Sequence, residues 1–227
     1  QVGYAESLGM MFLTLALLGI VERRWWLAAL AIPLAALTRP VGVPLALTLG
    51  ILFLVSLRTR RDRGILAGLT VVAGVSAVAW PALAWWGTGR VSAYLETELA
   101  WRRPYIGNHG HGWGTGWWDS AQWWFPDTWP WVLGGIASTV VVIALLPATR
   151  RLGAVFLAWL SAYLFYLVLV LFPQSSIFRL LAPMFPLAGT IAASRVATGV
   201  ALVGGVIGQY FWIEWMWSVQ GSDWTPP

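Results

Sequence analysis

Eight apolar stretches, at about 5–21, 25–37, 41–57, 64–86, 131–147, 152–172, 180–194 and 196–217, follow one another along the chain, and most of the charge between them is arginine. No other feature constrains the fold as much. A helix needs about 20 apolar residues to cross the hydrocarbon of a bilayer. The stretches 64–86, 152–172 and 196–217 are long enough outright. The stretch 25–37 reaches only about 20 Å as a helix, so it must borrow Glu22–Arg24, sit in a thinned bilayer or re-enter without crossing. Only 10% of the 227 residues are charged and 59% are hydrophobic, whereas a soluble domain carries about 25% charge. The expectation is an all-α, polytopic transmembrane bundle of about eight segments. It forms a single membrane domain over 1–227, with one external Trp/Gly-rich loop region at 87–130 carrying a short interfacial helix.

Charge distribution orients the bundle. There is no lysine, and all 14 basic residues are arginine. If every segment crosses, nine lie on one side: Arg23, Arg24, Arg58, Arg60, Arg61, Arg63, Arg150, Arg151 and Arg195. Arg39, Arg90, Arg102, Arg103 and Arg179 lie on the other. The arginine-rich short loops belong in the cytoplasm, which places both ends of the chain and every longer polar feature on the extracytoplasmic face. The net charge of +5 therefore reads as topology and not as a nucleic-acid footprint. The chain has no cysteine, which excludes disulfides and thiol chemistry. It opens on Gln1 and reads as the C-terminal portion of a longer protein.

Trp25–Leu57 forms a hairpin whose two apolar runs are separated only by Thr38-Arg39-Pro40. Proline suits the first turn of a helix, so Pro40 is expected to begin the second arm, with Arg39 just before its positive dipole end. A cation beside a helix N-terminus is a ready anion site; an arginine snorkelling to anchor the turn is the alternative. Arg179 repeats the arrangement before 180–194. If both arginines converge, they suit one phosphate.

The stretch 87–130 offers further candidates. Val91–Trp101 is expected to form a short helix with Glu98 and Arg102 spaced i,i+4, either a local ion pair or part of a site. Then come His109, His111, Trp117, Trp118 and Asp119 among glycines. Trp117-Trp118 and Trp123-Trp124 can stack on sugars or serve as an aromatic belt. His-x-His without a third placed ligand does not make a metal site, and no metal or cofactor is expected. No P-loop, dinucleotide fingerprint or nucleophile elbow is present. The scarcity of acids in the apolar segments weighs against an ion-coupled transporter.

Three stretches bear a family likeness. Gly3-Tyr4-Ala5-Glu6-Ser7-Leu8 resembles the Tyr-Ser-Glu-Ser-Leu that opens a helix in PIG-V-like mannosyltransferases. Ala35-Ala36-Leu37-Thr38-Arg39-Pro40-Val41-Gly42 resembles their Ala-x-x-Arg-Ser-x-Gly hairpin turn, and Phe178–Leu187 resembles their Arg-Tyr-x-x-Pro-x-Phe-Pro-Leu. Tyr94–Trp101 is similar to a Tyr-to-Trp helix of bacterial members. Pro40, Val41 and Phe178 depart from the family's usual polar residues. The resemblance implies a GT-C membrane enzyme that moves a sugar, mannose in the family, from a polyprenyl-phosphate donor to a lipid or glycan acceptor outside the cytoplasm. It implies no nucleic-acid partner. Arg39 and Arg179 would hold the donor phosphate. Tyr4, Glu6, Glu98, Arg102, His109, His111, Trp117, Trp118 and Asp119 would be supporting or sugar-binding. The family's catalytic carboxylate lies in a loop that would precede Gln1, so the general base stays unassigned. A non-enzymatic carrier or flippase of lipid-linked glycans, or a membrane assembly subunit, are the alternatives.

Overall fold

The computed structural model describes residues 5–59, 61–100, 107, 112–174 and 176–214. Every regular element among them is helical, so the chain is all-α. In order these are α1 Glu6–Val21, α2 Trp25–Thr38, α3 Gly42–Thr59, α4 Arg63–Ala77, α5 Ala79–Thr88, α6 Ala93–Ala100, α7 Thr115–Trp124, α8 Trp129–Leu145, α9 Pro147–Arg150, α10 Ala154–Val170, α11 Ile177–Leu181, a 3₁₀ stretch Ala182–Leu187, α12 Ala188–Ala192 and α13 Arg195–Trp212. They form two compact units, one of residues 1–115 with 154–171 and one of 116–153 with 172–227.

Proline sets several boundaries. Pro81 has no N–H to give Ala77, and its ring crowds that carbonyl; the chain accordingly breaks at Val78 (φ −94°, ψ 0°) between α4 and α5. The two still form one apolar run, Arg63–Thr88, whose 26 residues are long and apolar enough to cross a membrane. Pro183 and Pro186 act more strongly. The expected helix over 180–194 is instead α11, the 3₁₀ stretch and α12, with Met184 (φ −82°, ψ 16°) outside helical geometry. The stretch 152–172 yields a 17-residue α10, shortened at one end by Gly153 (φ 87°) and followed at the other by Pro173. Neither it nor α13 matches Arg63–Thr88 in combined length and apolar character. Pro44, by contrast, falls in the first turn of α3 and costs no helical bond.

The first unit is an up-and-down bundle of α1–α4 joined by α10. The α1–α2 turn and the α3–α4 turn lie at one end, where Arg23 pairs with Asp62. Both residues are left-handed (φ 59° and 56°), a conformation that costs a non-glycine residue about 1 kcal/mol or more. The pair links the two strained turns to each other. At the opposite end Arg39 pairs with Glu6, and Trp80 Nε1 donates to the Leu37 carbonyl at 2.8 Å. Small residues allow the arms to approach: a Cβ on Gly19 would lie 2.7 Å from the Ala28 nitrogen, and one on Gly42 2.7 Å from the Ala77 Cα. Leu13, Leu17, Ile32, Leu45, Leu49 and Trp159 fill the interior. The outer faces are equally apolar, with Leu30 62% and Val71 66% exposed.

In the second unit α7 is seated by its small face, Gly116, Ser120 and Ala121, and the Ser120 hydroxyl donates to the Pro173 carbonyl. Thr149 of α9 donates to the Ile143 carbonyl at 2.6 Å and lies 3.2 Å from the Thr190 hydroxyl. Ser194 caps α13 by accepting from the Ala197 N–H at 3.3 Å.

The packing separates two kinds of glycine. Gly19→Ala drives a methyl into the α2 backbone and is expected to cost about 1–3 kcal/mol. Gly68→Ala meets nothing within 4 Å and should be neutral or stabilising by up to about 1 kcal/mol through helix propensity. Unfolding of both variants in detergent checks this, and equal effects would remove the close α1–α2 contact.

Candidate functional site

Glu6 is the first residue of α1, whose N-cap, Ala5, offers no side-chain cap. Arg39 follows the last residue of α2 in extended conformation, φ −149° and ψ 152°. Pro40 accounts for this, since the residue before a proline is driven out of the helical region. The Arg39 stem crosses α1 at Gly9, where an added Cβ would lie 2.9 Å from the Arg39 Cγ. Its guanidinium then meets the carboxylate of Glu6, three residues back on the same face of α1. Both side chains are about one-quarter exposed, 27% and 24%, so the pair is screened less than a surface pair. Below it, buried Tyr163 of α10 lies within the field of Arg39 and stacks on Trp159 at 5.2 Å.

The helix that Arg39 serves is not the expected one. The α3 ladder begins with Leu45 N–H donating to the Val41 carbonyl at 3.0 Å, and the first helical residue is Gly42 instead of Pro40. Arg39 occupies the C-cap of α2, where its charge complements the negative end of that helix. The carbonyls there are well supplied: the Thr38 hydroxyl donates back to Leu34 and Ala35, and Trp80 reaches Leu37.

Arg179 departs further from expectation. It is the third residue of the five-residue α11, not the residue before a long inward helix. Two prolines downstream interrupt that helix, for the reason given above. Arg179 belongs to the second unit and Arg39 to the first.

Glu98 lies on α6, which covers Ala93–Ala100 of the expected Val91–Trp101. Its near neighbour is Tyr94, whose hydroxyl donates to it; partial burial, then the Glu98 charge, push the phenol up to about 12. Among the described residues Glu96 takes Arg90 and accepts the Ser92 hydroxyl at 2.6 Å. Sequence reasoning did not single out Glu96 or Arg90, although a serine four residues before a glutamate at a helix start was the available signal. Trp117, Trp118 and Asp119, expected in a loop, are on α7. The Trp118 ring lies 4.1 Å from that of Trp129, tilted 53°, and Trp123 meets Trp124 edge-on at 4.6 Å. Aromatic surface that a sugar would need is thus partly engaged within the protein. Tyr4, Arg102, His109 and His111 lie outside the described residues. Among the described residues no three His, Asp or Glu side chains gather as metal ligands.

No family model, no curated protein and no solved structure matches this chain.

The Glu6–Arg39 pair is open to a direct energetic test. Glu6→Gln or Arg39→Met alone strands a partly buried charge and should cost about 1–3 kcal/mol. The double variant should cost less than the sum. Arg24→Gln, which breaks the exposed 2.8 Å pair with Glu22, should stay within about 0.5 kcal/mol. A thermal-unfolding double-mutant cycle with strict additivity would show that the two groups do not interact.

Proposed function

We propose that this chain belongs to a multi-pass membrane glycosyltransferase of the extracytoplasmic face. It transfers a sugar, mannose by resemblance, from a polyprenyl-phosphate donor to a lipid or glycan acceptor. The observation that supports this best is the Glu6–Arg39 pair beside buried Tyr163, at the end of the bundle away from Arg23, Arg24, Arg58, Arg61 and Arg63. A guanidinium donates two parallel hydrogen bonds to phosphate, and a carboxylate beside it keeps it aimed. The remaining apolar helices cross with tilt, local thinning and snorkelling arginines.

In this reading the acceptor oxygen bonds to the anomeric carbon as the bond from that carbon to the donor phosphate oxygen breaks. The polyprenyl phosphate leaves with the electron pair, and the acceptor proton goes to a carboxylate base. Arg39 stabilises charge where it develops on the phosphate. Glu6 holds Arg39 in place. Glu98 is a candidate for sugar contact.

Turnover of a labelled polyprenyl-phosphate sugar separates transfer from carriage, since a carrier binds the lipid and releases it unchanged. Arg39→Lys should lower transfer roughly a hundredfold per folded molecule, for a lost contact of about 3 kcal/mol, and Arg39→Ala should lower it more. Full activity in Arg39→Lys would remove the phosphate role.

Topology is tested by single cysteines, which are clean because the chain has none of its own. In intact cells an impermeant thiol reagent should label Trp86→Cys, whose site is 85% exposed, and should leave Arg61→Cys unlabelled. Labelling at 61 would overturn the orientation.

A further inference from the structure

At the end of the first unit opposite Arg39, arginines outnumber acids. Asp62 is taken by Arg23, and Glu22 lies 2.8 Å from Arg24. Arg58 in the last turn of α3, Arg61 in the turn and Arg63 at the head of α4 are all exposed. Arg61 comes only to 4.0 Å of Asp62 and is 76% exposed. Three described guanidinium groups therefore rim this turn, and the two described acids at this end are held mainly by Arg23 and Arg24.

The surface next to that rim is hydrocarbon. On α3, Leu54 and Val55 lie four and three residues before Arg58, on its face, and are 61% and 57% exposed. On α4, Gly64, Gly68, Val71 and Val75 recur on one outward face, and a Cβ at either glycine would meet open space. A soluble anion would use the rim alone. A molecule with a negative headgroup and an acyl chain would use both surfaces at once.

We propose that the turn between α3 and α4 binds an anionic phospholipid, its headgroup phosphate on Arg58, Arg61 and Arg63 and its chain along the outer faces of α3 and α4. The Arg23–Asp62 pair serves this site indirectly. It withdraws the only acid in the turn and fixes the two turns side by side. The proposal needs these helices to be embedded in a bilayer but does not need the chain to transfer sugar.

The test uses the purified protein in non-ionic detergent, with native mass spectrometry reading retained lipid. Phosphatidylglycerol should be retained well above phosphatidylcholine, and millimolar inorganic phosphate should not displace it. Near a membrane surface each basic residue contributes about fivefold in affinity, so Arg58→Gln/Arg61→Gln/Arg63→Gln should lose roughly a hundredfold. The triple Arg→Lys variant keeps the charge and should bind within about threefold of the parent, which also controls for folding. Equal retention of phosphatidylcholine would mean that only the apolar face binds, and displacement by phosphate would mean a simple anion site. Unchanged binding in the Gln variant, or loss in the Lys variant equal to that in the Gln variant, would also overturn the proposal.

Discussion

The closeness of α1 and α2 underlies the rest of the first unit. Gly19 lets the backbones meet at Ala28, near one end of the hairpin. The same separation brings the Arg39 stem onto Gly9 near the other end, and from there the guanidinium reaches Glu6. Larger residues at 9 and 19 would move α2 outward and leave that arginine without its carboxylate. Such contacts between small residues matter most where no hydrophobic force drives apolar helices together, as inside a bilayer.

Electrostatics then divides the bundle into two unlike ends. One holds a largely buried carboxylate–guanidinium pair, with the stacked Tyr163 of α10 within the field of Arg39. The other holds the Arg23–Asp62 and Arg24–Glu22 pairs, with Arg61 4.0 Å from Asp62, and an exposed surplus of arginine. The use of arginine alone suits both ends. Its charge persists at any physiological pH, and its long stem allows the head to reach polar surroundings from an apolar helix. Local backbone strain is concentrated at the surplus end, in Arg23 and Asp62, and the ion pair between them compensates it.

In the second unit, prolines and small residues have a comparable role. Pro183 and Pro186 prevent a long helix after Arg179, so that arginine sits in a short turn. Gly116 and Ser120 bring α7 close enough to bond the Pro173 carbonyl. The indole rings beside them pack on one another at Trp118–Trp129 and Trp123–Trp124. A tryptophan-rich segment thereby becomes a small ordered surface.

Apolar period and length were enough to determine the helical class and the position of most elements from the sequence. The runs 5–21, 25–37 and 41–57 became α1, α2 and α3 with ends shifted by a residue or two. The hairpin with Arg39 at its tip was equally legible, because three polar-compatible residues between two apolar runs leave few alternatives. The nearness of Glu6 to Arg39 is not legible in the sequence, since residues 33 apart meet through the packing of α1 on α2, and the Gly19–Ala28 contact responsible carries no signal in periodicity. Tertiary structure also decided which helix end Arg39 serves: Pro40 forces the preceding residue to be extended, and the new helix starts only at Gly42. It also brought Arg90, six residues earlier, to Glu96, because the chain entering α6 folds back. Hydrophobic periodicity reports which residues must leave water. Which charges then meet depends on helix ends and interhelical distances, set by a few glycines and prolines acting through space.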